Sequence, residues 1–180
     1  MEEKDLEWLS EQELKFDLDE LGEFESVWHS TGGEFSAEDL KKVFHEETAA
    51  FLLVEGDLIV TGPLGIDEQH GLQVSGNLEC EQLLLTNGLF FAGDVAVRDF
   101  TELMVGADEV LETYDAQSLN TQVFIVAGGE TPPNVDAAHV FDSFEVEDLA
   151  KLCETNFGAV QARLEAGGSV DPDWIESILG

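Results

Sequence analysis

Positive charge is what this chain has least of. Its 180 residues include seven Lys and Arg against 40 Asp and Glu, a formal net charge of −33. So few scattered bases cannot neutralise a phosphate track, which excludes nucleic-acid binding. The same field repels anionic membranes and draws in cationic partners. Cysteine is scarcer still. Cys80 and Cys153 lie far apart in unlike contexts, so neither a disulfide framework nor a metal motif follows. No apolar run approaches the roughly 18 residues of a membrane span. The start, Met1-Glu2-Glu3-Lys4-Asp5, has neither a basic segment nor an apolar one behind it, so a cytoplasmic location is expected.

Catalytic signatures are missing as well. There is no Gly-x-Ser-x-Gly elbow, phosphate loop or dinucleotide fingerprint. His29, His45, His70 and His139 match no ligand spacing. His45-Glu46-Glu47 would put a metal on a helix, but a lone histidine beside acids is ordinarily solvated surface. Asp67-Glu68 and Asp108-Glu109 fall in inter-strand turns, yet neither fits a calcium loop or a calcium-binding repeat. With so many carboxylates, close pairs arise by chance and none stands out as an acid–base dyad. The expectation is a protein without enzymatic activity, cofactor or metal.

What is present is a foldable core. Hydrophobic residues make up 43% of the chain, with twelve Phe and three Trp, which argues against a disordered acidic chain. The acids are spread evenly. Residues 1–50 hold 16 acids and 4 bases, residues 51–130 hold 14 and 1, and residues 131–180 hold 10 and 2. There is no acidic tail; the whole surface is negative. Solubility or a saline habitat would account for this as well as a cationic partner would.

Residues 1–50 read as a helical region. Ser10 with Glu13, and Ser36 with Asp39, have capping-box spacing. Leu40, Val43 and Phe44 recur at helical spacing after Ser36; Leu6, Leu9, Leu14, Leu18 and Leu21 are less regular. Ser30-Thr31-Gly32-Gly33 marks a turn.

From 51 to 130 the apolar period drops to two. Three segments superpose: Leu52–Val60, Leu72–Cys80 and Leu89–Val97, each reading apolar-x-apolar-x-Gly-[Asp/Asn]-apolar-x-apolar. A weaker fourth copy has Gln117 where glycine stood. Single units recurring near 20 residues signal a stacked architecture. The return segments, Leu83-Leu84-Leu85, Leu103-Met104-Val105 and Val123–Val126, are strand-like too, so the fold expected is a short parallel β-helix of about four coils. Alternation turns Leu52, Val54, Leu58 and Val60 inward, with Leu72, Val74, Leu78 and Cys80, then Leu89, Phe91, Val95 and Val97, stacked on them. The glycines also face inward, at bends without room for a Cβ. Asp57, Asn77 and Asp94 form an outward column, where the amide relieves repulsion between two carboxylates at coil spacing.

Residues 131–180 read as a C-terminal helical cap, with helices over 145–153 and 157–166. Asp171-Pro172 opens a last one. Helices at both ends are expected to cover the open ends of the solenoid and to prevent end-to-end stacking. The fold class is therefore a mainly β core with helical flanks.

The Leu53-Val54-Glu55-Gly56-Asp57-Leu58-Ile59-Val60 repeat, with Arg163-Leu164-Glu165-Ala166-Gly167 in the tail, resembles acidic bacterial β-helix proteins of the polymorphic-toxin immunity type. It is distantly similar to the repeats of bactofilins, the polymer-forming cytoskeletal β-helices. The first resemblance implies an immunity protein that neutralises a basic toxin, such as a nuclease, by occlusion. The second implies a self-assembling structural protein. For the first, the outward acids Asp57, Glu79, Glu81, Asp94, Asp99 and Glu102 are the expected contacts with the basic partner.

Overall fold

Strands that alternate apolar and polar residues, joined by corners of a few residues, wind this chain into a three-sided solenoid of parallel coils. The computed structural model describes residues 1–15, 24–45, 48–104, 114–127, 131–146 and 148–180. β1 (Glu2–Lys4) and α1 (Leu6–Leu9) precede β2 (Ser26–Ser30), β3 (Gly33–Ser36) and α2 (Ala37–Leu40). Then come β4 (Ala50–Val54), β5 (Leu58–Asp67), β6 (His70–Val74), β7 (Leu78–Thr86), β8 (Leu89–Met104), β9 (Tyr114–Val126) and β10 (Val135–Asp142). Two helices close the chain, α3 (Leu149–Glu165) and α4 (Pro172–Leu179).

Each strand pairs in parallel with the corresponding strand one coil later. On the first face β2 pairs with β4, β4 with β6, and β6 with the start of β8, which pairs with the start of β9. On the second, β3, β5, β7, β8, β9 and β10 follow one another through Leu58, Leu78, Val95, Leu119 and Val135. The third runs through Leu64, Leu83, Thr101, Phe124 and Val140.

The solenoid thus makes about five turns rather than four, and it extends beyond residues 51–130 at both ends. The region expected to be helical before 50 contributes the first coil, β2 and β3. The region after 131 contributes β10. Both escaped the repeat because their corners lack the Gly-Asp/Asn pair: Thr31-Gly32 serves at the first coil.

The inward columns are those expected, with one slip. Phe90 stacks on Leu72 in the core, while Leu89 and Phe91 face outward. The corner from Ala92 to Val95 is one residue shorter than that from Val74 to Leu78, and side chains change face with every residue. Cys80 is a core residue between Val60 and Val97, as expected. The corner glycines do not face the core. A Cβ on Gly93 would lie 2.6 Å from the carbonyl oxygen of Gly76 in the preceding coil, and one on Gly76 would strike Asp57 and Gly56. Coil-to-coil approach, not a bend into the core, demands glycine there.

Ser36 and Asp39 form the expected capping box of α2. Ser10 does not cap a helix start; it ends α1, whose N-cap is Asp5. Leu18 and Leu21 lie outside the described residues. The helices read over 145–153 and 157–166 are the two halves of α3, which begins at Leu149 and kinks at Asn156, whose φ of −154° and ψ of 56° are non-helical. Asp171 caps α4 by accepting from the Trp174 amide at 3.0 Å.

Candidate functional site

The prism has three outer faces, and two are covered. On the first, the outward residues Val27, Phe51 and Leu53 pack with Leu9 of α1 and with Phe24. Gln73, buried on that face, fastens the N-terminal segment: its amide nitrogen donates to the Glu13 carbonyl and its oxygen accepts from the Lys15 amide, both at 2.9 Å. On the third face, the outward residues Phe100, Val123 and Ile125 are fully covered by Leu149, Leu152, Cys153 and Val160 of α3 and Ile175 of α4. Phe157 stacks on Phe100, centroids 6.2 Å apart. The C-terminal helices therefore lie along a side of the solenoid and do not sit over its end. Their apolar stripe found an outward apolar stripe, which an end cap would have left in water.

The second face has no such cover among the described residues. Its outward column reads Glu34, Ile59, Glu79, Ala96, Asn120 and Asp136, all exposed. The small side chains Ala96 and Ala138 sink a groove of about 650 Å³ between Glu79, Arg98, Gln122 and Asp136. Coils stand about 4.8 Å apart, so Glu79 and Asp136, three coils apart, lie on the order of 14 Å from each other.

The six acids expected to meet a partner are not equivalent. Asp57 and Asp94 belong to a ladder along the corner. Asp57 accepts from the Asn77 amide at 2.8 Å, Asn77 accepts from the Asp94 amide at 3.1 Å, and Asp94 accepts from the Ser118 hydroxyl at 2.8 Å. Glu81 and Asp99 hold Arg98 at 2.8 and 3.0 Å. Glu102 lies on the third face beside α3, half-buried; burial, and then the Glu154 charge, push its carboxyl above the usual range. Only Glu79 stands in the open groove. Asp136 and Asn120 stand there with it and were missed, because the repeat was read as ending before 131 and the fourth copy is degraded. Continuing the Ile59, Glu79, Ala96 column by two coils would have found both.

Both cysteines are free thiols buried in the fold. Burial, reinforced by nearby carboxylates, pushes each thiol up to about 12. Among the described residues that line the groove, neither the Cys80 thiol nor the Thr121 hydroxyl is hydrogen-bonded to a basic side chain. Arg98, the sole base between 51 and 130, is already engaged by two carboxylates, whereas Glu79 and Asp136 form no ion pair among the described residues. No three His, Cys, Asp or Glu cluster as a metal site among the described residues. The turn at Asp108-Glu109 and the pair Glu46-Glu47 lie outside them. No described helix is long and apolar enough to cross a membrane. The groove is lined by the carboxylates of Glu79 and Asp136 beside the already engaged Arg98.

No family profile, curated protein or solved structure matches the chain.

Proposed function

We propose that this chain is an acidic binding protein that engages a basic protein partner and acts by occluding it, with no chemistry of its own. The observation that carries this reading is the face of the prism left uncovered among the described residues, whose groove holds Glu79 and Asp136 without ion-pair partners among them, in a chain of net charge −33. A rigid wall of like charge speeds encounter with a cationic partner and costs little ordering on binding. Among basic partners, a bacterial toxin acting on a polyanion is the one implied by the repeat's resemblance, which makes the chain an immunity protein in the cytoplasm. Co-expression with the product of the neighbouring gene tests this by growth. Rescue by the wild-type chain, and its loss in the Glu79→Lys/Asp136→Lys double variant, is the expected result. Undiminished rescue by that variant, or no rescue by the wild type, refutes it.

A second reading, assembly into a polymer, draws on the edge of β10, which among the described residues pairs only with β9. The other end opposes head-to-tail growth: β1 pairs antiparallel with β2, and Leu40 and Val43 fold into the core. Light scattering in 1 M salt, where repulsion is screened, would reveal polymers.

A further inference from the structure

The two ends of the solenoid are finished differently. At the first coil, β1 occupies the edge of β2, and the capping box of α2 sets Leu40 and Val43 against the core. At the last, no described strand pairs with the outer edge of β10. A parallel strand turns alternate backbone groups away from its neighbour, so this edge offers a row of N–H and C=O groups. Natural edges are guarded by Lys, Pro or a bulge. Val135–Asp142 contains neither Lys nor Pro, and its ionisable side chains are Asp136, His139 and Asp142. The core column running through Phe124 ends in Val140, 49% exposed, and Phe144 beyond it is 78% exposed.

From these features we infer that the C-terminal end of the solenoid is a strand-acceptor site: the open edge of β10 takes an extended cationic segment of a partner protein as its next coil. This rests on the basic-partner reading and specifies where and how such a partner docks. Apolar residues of the incoming strand would lie on the inward side over Val140, and a basic residue would face the outward Asp136. The groove of the second face runs into this edge, since Asp136 and Ala138 belong to both. A second copy of the chain is the poorer occupant: it brings another −33 of charge and the same two aspartates.

The test uses the whole chain and the peptide acetyl-Val-Lys-Val-Lys-Lys-Val-Lys-Val-amide, whose apolar positions follow the inward residues of β10 through its corner, with a second version N-methylated at alternate amides so that charge is kept and strand pairing is lost. Affinity is read by titration in 20 mM salt, and amide exchange of residues 136–141 by NMR. The unmodified peptide is expected to bind at least tenfold more tightly and to slow exchange in β10. Val140→Lys is expected to abolish that preference while exchange in β9 stays slow, which shows that the variant folds. Equal affinities without amide protection would overturn strand addition and leave the basic-partner reading standing. No binding of either peptide would overturn both. A dimer of the free chain that already protects β10 would overturn the cationic occupant.

Discussion

The corner ladder allows a charge experiment with a worked magnitude. Asn77 separates two carboxylates, accepting from the Asp94 amide while its own amide donates to Asp57. Asn77→Asp would make three successive carboxylates along the solenoid. At about 4.8 Å between coils and water-like screening, each new pair repels by about 0.9 kcal/mol, so the two together reach about 1.7 kcal/mol before salt acts. With a Debye length of roughly 20 Å in 20 mM salt and about 3 Å at 1 M, most of this survives in the first condition and about a fifth in the second. The variant's deficit relative to wild type should therefore shrink by about 1 kcal/mol between the two. A charged acceptor for the Asp94 amide offsets part of the deficit in both conditions alike, so the salt dependence is the sharper readout than the sign. Urea unfolding followed by circular dichroism measures it. Thr131→Asp, an exposed change away from the ladder, is the control for adding one charge to a chain already at −33. Asn77→Ala should cost about 1 kcal/mol for the lost bond with little added salt dependence. If Asn77→Asp and Thr131→Asp show the same salt dependence, the ladder is not an electrostatic device and the reasoning fails.

Three further outcomes follow from packing and protonation. Phe100→Ala should destabilise by about 3–5 kcal/mol and speed proteolysis of α3 and α4, because Phe100 is fully buried between the third face and Phe157; intact protease resistance would contradict that docking. Gly93→Ala should lower the unfolding free energy by about 1–3 kcal/mol, since its Cβ would lie 2.6 Å from the Gly76 carbonyl oxygen and a backbone must move; a neutral effect in urea titration would mean that coil spacing is not tight there. Glu102 is held above its ordinary 4.5, so the folded state retains a proton that the unfolded state releases, and this group's contribution to stability falls as pH rises through that window. Glu102→Gln should therefore melt higher than wild type at pH 7 and about equally at pH 4, and a lower melting temperature at pH 7 would reverse the assignment.

How much of this was legible depended on whether a feature is local. The Gly-Asp/Asn corners repeat because each coil must pass close to the last, so one chain segment reveals the spacing, the parallel architecture and the core place of Cys80. The capping box at Ser36 and the N-cap at Asp171 were legible for the same reason, since a cap spans three residues. The slip at Phe90 was not, because it turns on a corner one residue shorter, and a superposition anchored on glycine hides that. The flanking helices were recognised, but their position was not. An apolar stripe on α3 declares that it will be buried without declaring against what.

The candidate site divides along the same line. Alternation was enough to show that Glu79 points outward. Which outward acids remain open was decided only when the chain ends folded back: the N-terminal segment covered the first face, α3 and α4 covered the third, and Arg98 drew in Glu81 and Asp99. By itself the sequence determined the coil, its core columns and its negative charge, because these follow from periodicity and composition. The tertiary structure alone decided which face of the prism and which of its ends the described residues leave uncovered, because cover comes from residues far away in the chain, and no local pattern encodes their destination.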